Sequence, residues 1–153
     1  MPSQTVDRHD ANLRLARALT CAVDGADKPR HRIASEAGMH KNTLLRVTRG
    51  ERPIGLDEAE RIFSACGVPA RSVMVLVLTG HEDLAAKWMY HSMAEFLEEF
   101  MNTLPANLDE TLGERIGDLR PRWATGTSRL VARMLAKHIE DFADRDLSFS
   151  DRR

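Results

Sequence analysis

The chain has 153 residues, of which 42% are hydrophobic and 29% charged, so a packed core is available and global disorder is excluded. Its net charge of -1, from 22 basic and 23 acidic residues, argues when taken whole against a nucleic-acid binder. The longest apolar run, Val73 to Leu78, is far shorter than the ~20 residues of a membrane helix. With no apolar leader, the expected location is the cytoplasm, with no membrane partner.

In chain order, residues 1–10 read as a flexible leader. Asn12 to Val23 has Leu13, Ala16, Leu19, Ala22 and Val23 at helical spacing, and Asp24 to Asp27 supply turn residues. Pro29 suits the first turn of a second helix that carries Ile33, Ala34 and Ala37 inward, and Gly38 stops it. A third helix spans Lys41 to Thr48, with Leu44 and Val47 inward and Gly50 as its C-terminal glycine. After the Arg52–Gly55 connector comes a helix over Asp57 to Cys66, then Gly67. Val68 to Thr79 has strand propensity, but nothing else in the chain could pair with a strand. A fifth helix from Ala70 is therefore expected, with a domain boundary at Gly80.

The second half is more periodic. Ala85, Met89, Met93, Phe96, Leu97, Phe100 and Leu104 predict one amphipathic helix over Glu82 to Thr103, ended by Pro105. A shorter helix is expected over Leu108 to Leu119. The last, over Thr127 to Asp144, carries Leu130, Val131, Met134, Leu135, His138, Ile139 and Phe142, and 146–153 reads as a flexible tail. The fold class is thus all-α, five helices followed by three.

Chemistry-bearing patterns are sparse. Cys21 and Cys66 make no CxxC pair and read as small buried hydrophobes in reduced form. Glu95, Glu98 and Glu99 read as a solvated helix face, and His91 and His138 lack partners at metal-ligand spacing. No phosphate-loop, dinucleotide or hydrolase motif occurs. The expectation is no enzyme, no metal and no cofactor.

Charge becomes informative when divided. Residues 1–80 hold 12 basic and 9 acidic residues, and residues 81–153 hold 10 and 14. Within Lys28–Arg52, Lys28, Arg30, Arg32, Lys41, Arg46, Arg49 and Arg52 face only Glu36 and Glu51, a net +5. Such a concentration on two short helices is the footprint of phosphate contact.

Around that charge, Ile33 to Gly50 places small Ala34 where two helices would cross, Gly38 at the tight turn, and Met39, Leu44 and Val47 inward after it. Arg49-Gly50-Glu51-Arg52-Pro53, Leu56 to Ile62 and Ala65 to Val68 follow in order. Together, over Asn12 to Thr79, they resemble the lambda-repressor-like (Cro/repressor, XRE-like) helix-turn-helix DNA-binding family. Departures are Thr48, where many members carry Glu, and the longer Asp24–Pro29 connector.

The resemblance implies a DNA-binding domain over 11–80. Its third helix would enter the major groove, with Lys41, Asn42 and Arg46 at base edges. Arg30, His31, His40, Thr43, Arg49 and Arg52 would contact the backbone or play mixed roles. The expected partner is double-stranded DNA, bound at a short palindromic operator, with repression as the default regulatory outcome in the nucleoid.

Residues 81–145 are expected to form a helical homodimerisation domain through Trp88, Met89, Met93, Phe96, Phe100, Leu130, Met134, Leu135 and Phe142. Two other readings stay open. One is an antitoxin-type regulator whose C-terminal helices hold a toxin or another protein partner. The other is a protein–protein adaptor that keeps the fold without binding DNA.

Overall fold

A computed structural model describes the backbone of residues 3–150 and the side chains of residues 9–143. Every regular element in it is helical, with no strand among the described residues. The order is α1 (Ser3–Gly25), α2 (Arg30–Glu36), α3 (Lys41–Thr48), α4 (Leu56–Ala65), α5 (Ala70–Leu78), α6 (Glu82–Trp88), α7 (Ser92–Leu112) and α8 (Ala124–Ser150). Two 3-10 segments, Gly113–Asp118 and Pro121–Trp123, lie between α7 and α8.

The chain divides into two compact units, Met1–Pro105 and Ala106–Arg153. In the first, α1 packs on α3, α4, α5 and α6, while α2 packs on α3 and α4. Their inward side chains form one core in which Leu19, Ile33, Leu44, Val47, Ile62, Phe63, Val73 and Val77 are fully buried. These fall at the three- and four-residue spacings read from the sequence, because each short helix can bury only one stripe.

Four of the helices end in the same way. At α2, Gly38 N donates to Ser35 O at 3.0 Å and Met39 N donates to Ala34 O at 2.9 Å. The same pair of bonds closes α3 at Gly50 and Glu51, α4 at Gly67 and Val68, and α5 at Gly80 and His81. This geometry satisfies the last carbonyls of each helix and needs a left-handed residue. Gly38 takes it at φ +68° and Gly50 at φ +70°. At Gly50 a Cβ would also lie 2.9 Å from Leu13 Cδ2 on α1, so a side chain added there requires the tip of that leucine to shift.

Several boundaries differ from the sequence expectation. α1 starts at Ser3, so 3–10 belong to a helix rather than a leader; Met1 and Pro2 lie outside the described residues. The single helix expected over 82–103 is two, α6 and α7. His91 begins the second, its Nδ1 accepting from Met93 N at 3.2 Å, a start signal that the apolar periodicity overrides. Pro105 sits inside α7 instead of ending it. It lacks the N–H that would bond one turn back, and the two compact units part at this residue.

The expected Leu108–Leu119 helix is divided between the end of α7 and a 3-10 segment, because Gly113 turns the chain at φ +51°. α8 continues to Ser150, which takes in the first part of the expected tail, while 151–153 lie outside the described residues.

The first unit also extends past Gly80. Ala85 and Met89 are buried in its core. The Tyr90 hydroxyl donates to Ala22 O at the end of α1, over Gly25, where a Cβ would meet the ring. Glu98 Oε2 accepts from Ser72 N at 2.9 Å in the first turn of α5, so this carboxylate is a helix cap rather than part of a solvated face. Met89, at 2% exposure, is a core residue and presents nothing to a dimer partner. Of the two cysteines, Cys66 is buried as expected, whereas Cys21 is exposed.

The second unit has a different character. None of its described residues is buried. Leu130, Met134, Ile139 and Phe142 on α8 are each at least half exposed. His138 and Phe142 meet edge to face, with ring centroids 5.3 Å apart.

Candidate nucleic-acid interface

The face in question is the outer side of α3. Leu44 and Val47 anchor the helix inward. At 100° per residue, Lys41, Asn42, Leu45, Arg46 and Arg49 then share the opposite side. Lys41, Asn42, Arg46 and Arg49 are exposed, Leu45 is half-buried, and Thr43 is half-buried toward the edge of the face.

His40 is the N-cap: its Nδ1 accepts from Asn42 N at 3.2 Å. This ties up one orphan donor of the first turn. His31 is exposed in the first turn of α2. A hollow of about 50 Å³ between the helices is lined by Val23, Arg30, Lys41, Leu44, Leu45 and Thr48, which places Arg30 beside the start of α3.

α3 is held firmly from behind. Thr20 Oγ1 on α1 donates to Thr48 O at 2.9 Å, and Thr48 Oγ1 donates to Leu44 O at 3.0 Å. The last turn of α3 is thereby fastened to α1 by the Thr20 hydroxyl. Asn12 Oδ1 accepts from Ile54 N at 2.9 Å and pins the connector after α3 to the same helix. Neither Thr20 nor Asn12 stands out in the sequence, since both bonds join residues far apart in the chain.

The seven cations of the basic segment have unequal environments. Lys28 Nζ reaches Glu36 at 2.6 Å and Ala65 O at 2.8 Å, joining the α1–α2 connector to the end of α4. Arg32 completes the clamp on Glu36 at 3.1 Å. Together these cations hold the Glu36 carboxyl below the ordinary range, the Lys28 hydrogen bond first and the Arg32 bond after it.

Arg30 pairs with Asp24 at 2.6 Å, and Arg49 lies 3.9 Å from Glu51. Arg52 donates twice to Glu58 Oε1, at 3.0 Å each, while Glu58 Oε2 accepts from Gly55 N at 3.4 Å. Arg52 is thus committed to starting α4. Lys41 and Arg46 make no ion pair among the described residues.

The sequence-selected dimerisation residues fall in both units. Trp88, Met93 and Phe100 are half-buried in the first unit, and Phe96 is exposed and stacked on Phe100 at 5.8 Å between centroids. Leu130, Met134 and Phe142 are exposed on α8, with Leu135 half-buried. No group of His, Cys, Asp and Glu among the described residues could hold a metal ion. No helix there is long and apolar enough to cross a membrane. Compared with known protein families, with curated proteins and with solved structures, the chain matches none.

Proposed function

We propose that the chain is a sequence-specific DNA-binding transcriptional regulator of the lambda-repressor-like helix-turn-helix type, acting as a homodimer on a short palindromic operator. The observation that carries this reading is the outer face of α3. There Lys41, Asn42 and Arg46 stand exposed, and among the described residues the two cations have no acidic partner although their basic neighbours do. An unpaired arginine offers both ends of its fork to guanine O6 and N7, and an exposed asparagine can bond adenine N6 and N7. Arg30 beside Lys41 and Arg49 at the other end of α3 suit phosphates, exchanging weak surface pairs for them at small cost. Arg52, bidentate on Glu58, serves the fold first.

Repression is the outcome assigned here, since a protein lying over a promoter blocks polymerase by occupancy. The test is a mobility-shift titration on the DNA upstream of the gene over a range of salt. Affinity should fall steeply with salt, and Arg49→Ala should reduce the logarithmic salt slope by about 1. Affinity indifferent to salt would remove the DNA reading.

A further inference from the structure

Among its described residues the second unit buries no side chain, and its largest element, α8, carries an apolar stripe of Leu130, Val131, Met134, Leu135, His138, Ile139 and Phe142. A unit this short cannot bury enough apolar surface by itself, and exposed stripes of this kind mark contact surfaces.

We infer that α8 pairs with α8 of a second copy, antiparallel, about a two-fold axis between Ala136 and Lys137. This rests on the homodimeric part of the reading above and names the surface that carries it.

Two properties of α8 select a second copy in that orientation. The stripe is close to its own reverse. Turned about that midpoint, Val131 falls on Phe142, Met134 on Ile139 and Leu135 on His138, so six of the seven positions meet one from the stripe, and Leu130 falls on Ala143.

The charge is also segregated. Arg129, Arg133 and Lys137 stand at four-residue intervals up to the midpoint, whereas Glu140, Asp141, Asp144 and Asp146 crowd the sequence after Lys137 against Arg145. Like charges four apart repel along a single helix. Antiparallel pairing sets Arg133 level with Glu140 of the other copy, whereas parallel pairing sets each cation level with its own duplicate. Arg133 and Glu140 lie on the polar side of α8, so the bias acts through the field and weakens with salt.

The test uses the full chain without DNA, so that it does not depend on operator binding. Sedimentation equilibrium should give a dimer for the native chain and a monomer for Met134→Glu/Ile139→Glu. Both positions are exposed, so thermal unfolding of the first unit should be unchanged. A nitroxide on Ser128→Cys in a Cys21→Ser background, with Cys66 buried and unlabelled, reports orientation. Antiparallel pairing separates the two labels by about 25 Å along the helix.

A separation near the ~10 Å spacing of packed helices would mean parallel pairing and overturn the assignment. A dimer that survives the double substitution would also overturn it while leaving the homodimer standing. A monomeric native chain would overturn both and turn the stripe over to a different protein.

Discussion

Arg46 and Arg52 look alike in the sequence, six residues apart on a basic segment, yet they occupy opposite situations. Arg46 projects from α3 with no acid beside it, and Arg52 is fixed twice on Glu58. Their truncations should therefore separate. Arg46→Ala is expected to cost about 1–3 kcal/mol of operator binding and to relax base preference at one position, with the melting temperature unchanged. Arg52→Ala should act mainly on stability, by about 1 kcal/mol, because it loosens the start of α4. Competition shift assays and thermal circular dichroism on the two variants distinguish the roles.

The cysteines divide in a similar way. Cys21 is exposed, whereas burial pushes the Cys66 thiol up to about 11, with nearby Lys28 opposing the rise. At neutral pH Ellman's reagent should titrate one thiol in the native chain and two in denaturant. Rapid modification of both in the native chain would contradict the buried placement of Cys66.

At the scale of elements, the ends of helices carry more information than their middles. The stops at Gly38, Gly50, Gly67 and Gly80 are local: each needs a glycine and two backbone bonds within six residues. This is why α2 through α5 were legible from the sequence to within a residue or two. Gly50→Ala should destabilise by the ~1 kcal/mol of a left-handed alanine, with the Leu13 side chain shifting to admit the methyl, measured as a shift in the urea midpoint.

The elements that sequence periodicity missed were decided by side chains acting as caps. His91 starts α7 inside what reads as one continuous apolar stripe, and Glu98 caps α5 from 26 residues away. The Lys28–Glu36–Arg32 cluster ties the α1–α2 connector to α2 and to the end of α4. The carboxyl of Glu36 is held low, so its contribution is present above the ordinary carboxylate pKa and is lost as pH falls through the depressed value. Glu36→Gln should flatten this part of the acid-unfolding profile, as followed by circular dichroism between neutral and strongly acidic pH.

For the whole molecule, the compact unit that carries α3 reaches Pro105, not Gly80. α6 buries Ala85, Tyr90 bonds the end of α1, and Arg14 on α1 reaches Glu82 at 3.5 Å. A fragment of residues 1–105 should accordingly melt cooperatively and higher than one of residues 1–80, which loses the buried Ala85 and Met89 together with the cap on α5. Equal melting temperatures would show that residues 81–105 add nothing to this unit. The near-zero net charge of the chain likewise averages unlike parts: a basic segment around α3, acids that neutralise most of its cations, and an α8 whose two halves carry opposite signs.

The sequence by itself determined that the chain is all-helical, where α2 to α5 begin and end, which side chains of α2 to α4 turn inward, and that cations concentrate between residues 28 and 52. All of these depend on residues within a turn or two of each other, where spacing, glycine and proline act directly on the backbone. Only the tertiary structure decided which of the cations remain available. Asp24 and Glu58 meet Arg30 and Arg52 because the chain folds back, and Lys28 finds a carbonyl 37 residues away. It likewise decided that Met89 is core and that α8 is not. Burial is a property of what an apolar stripe meets and is not set by the stripe alone.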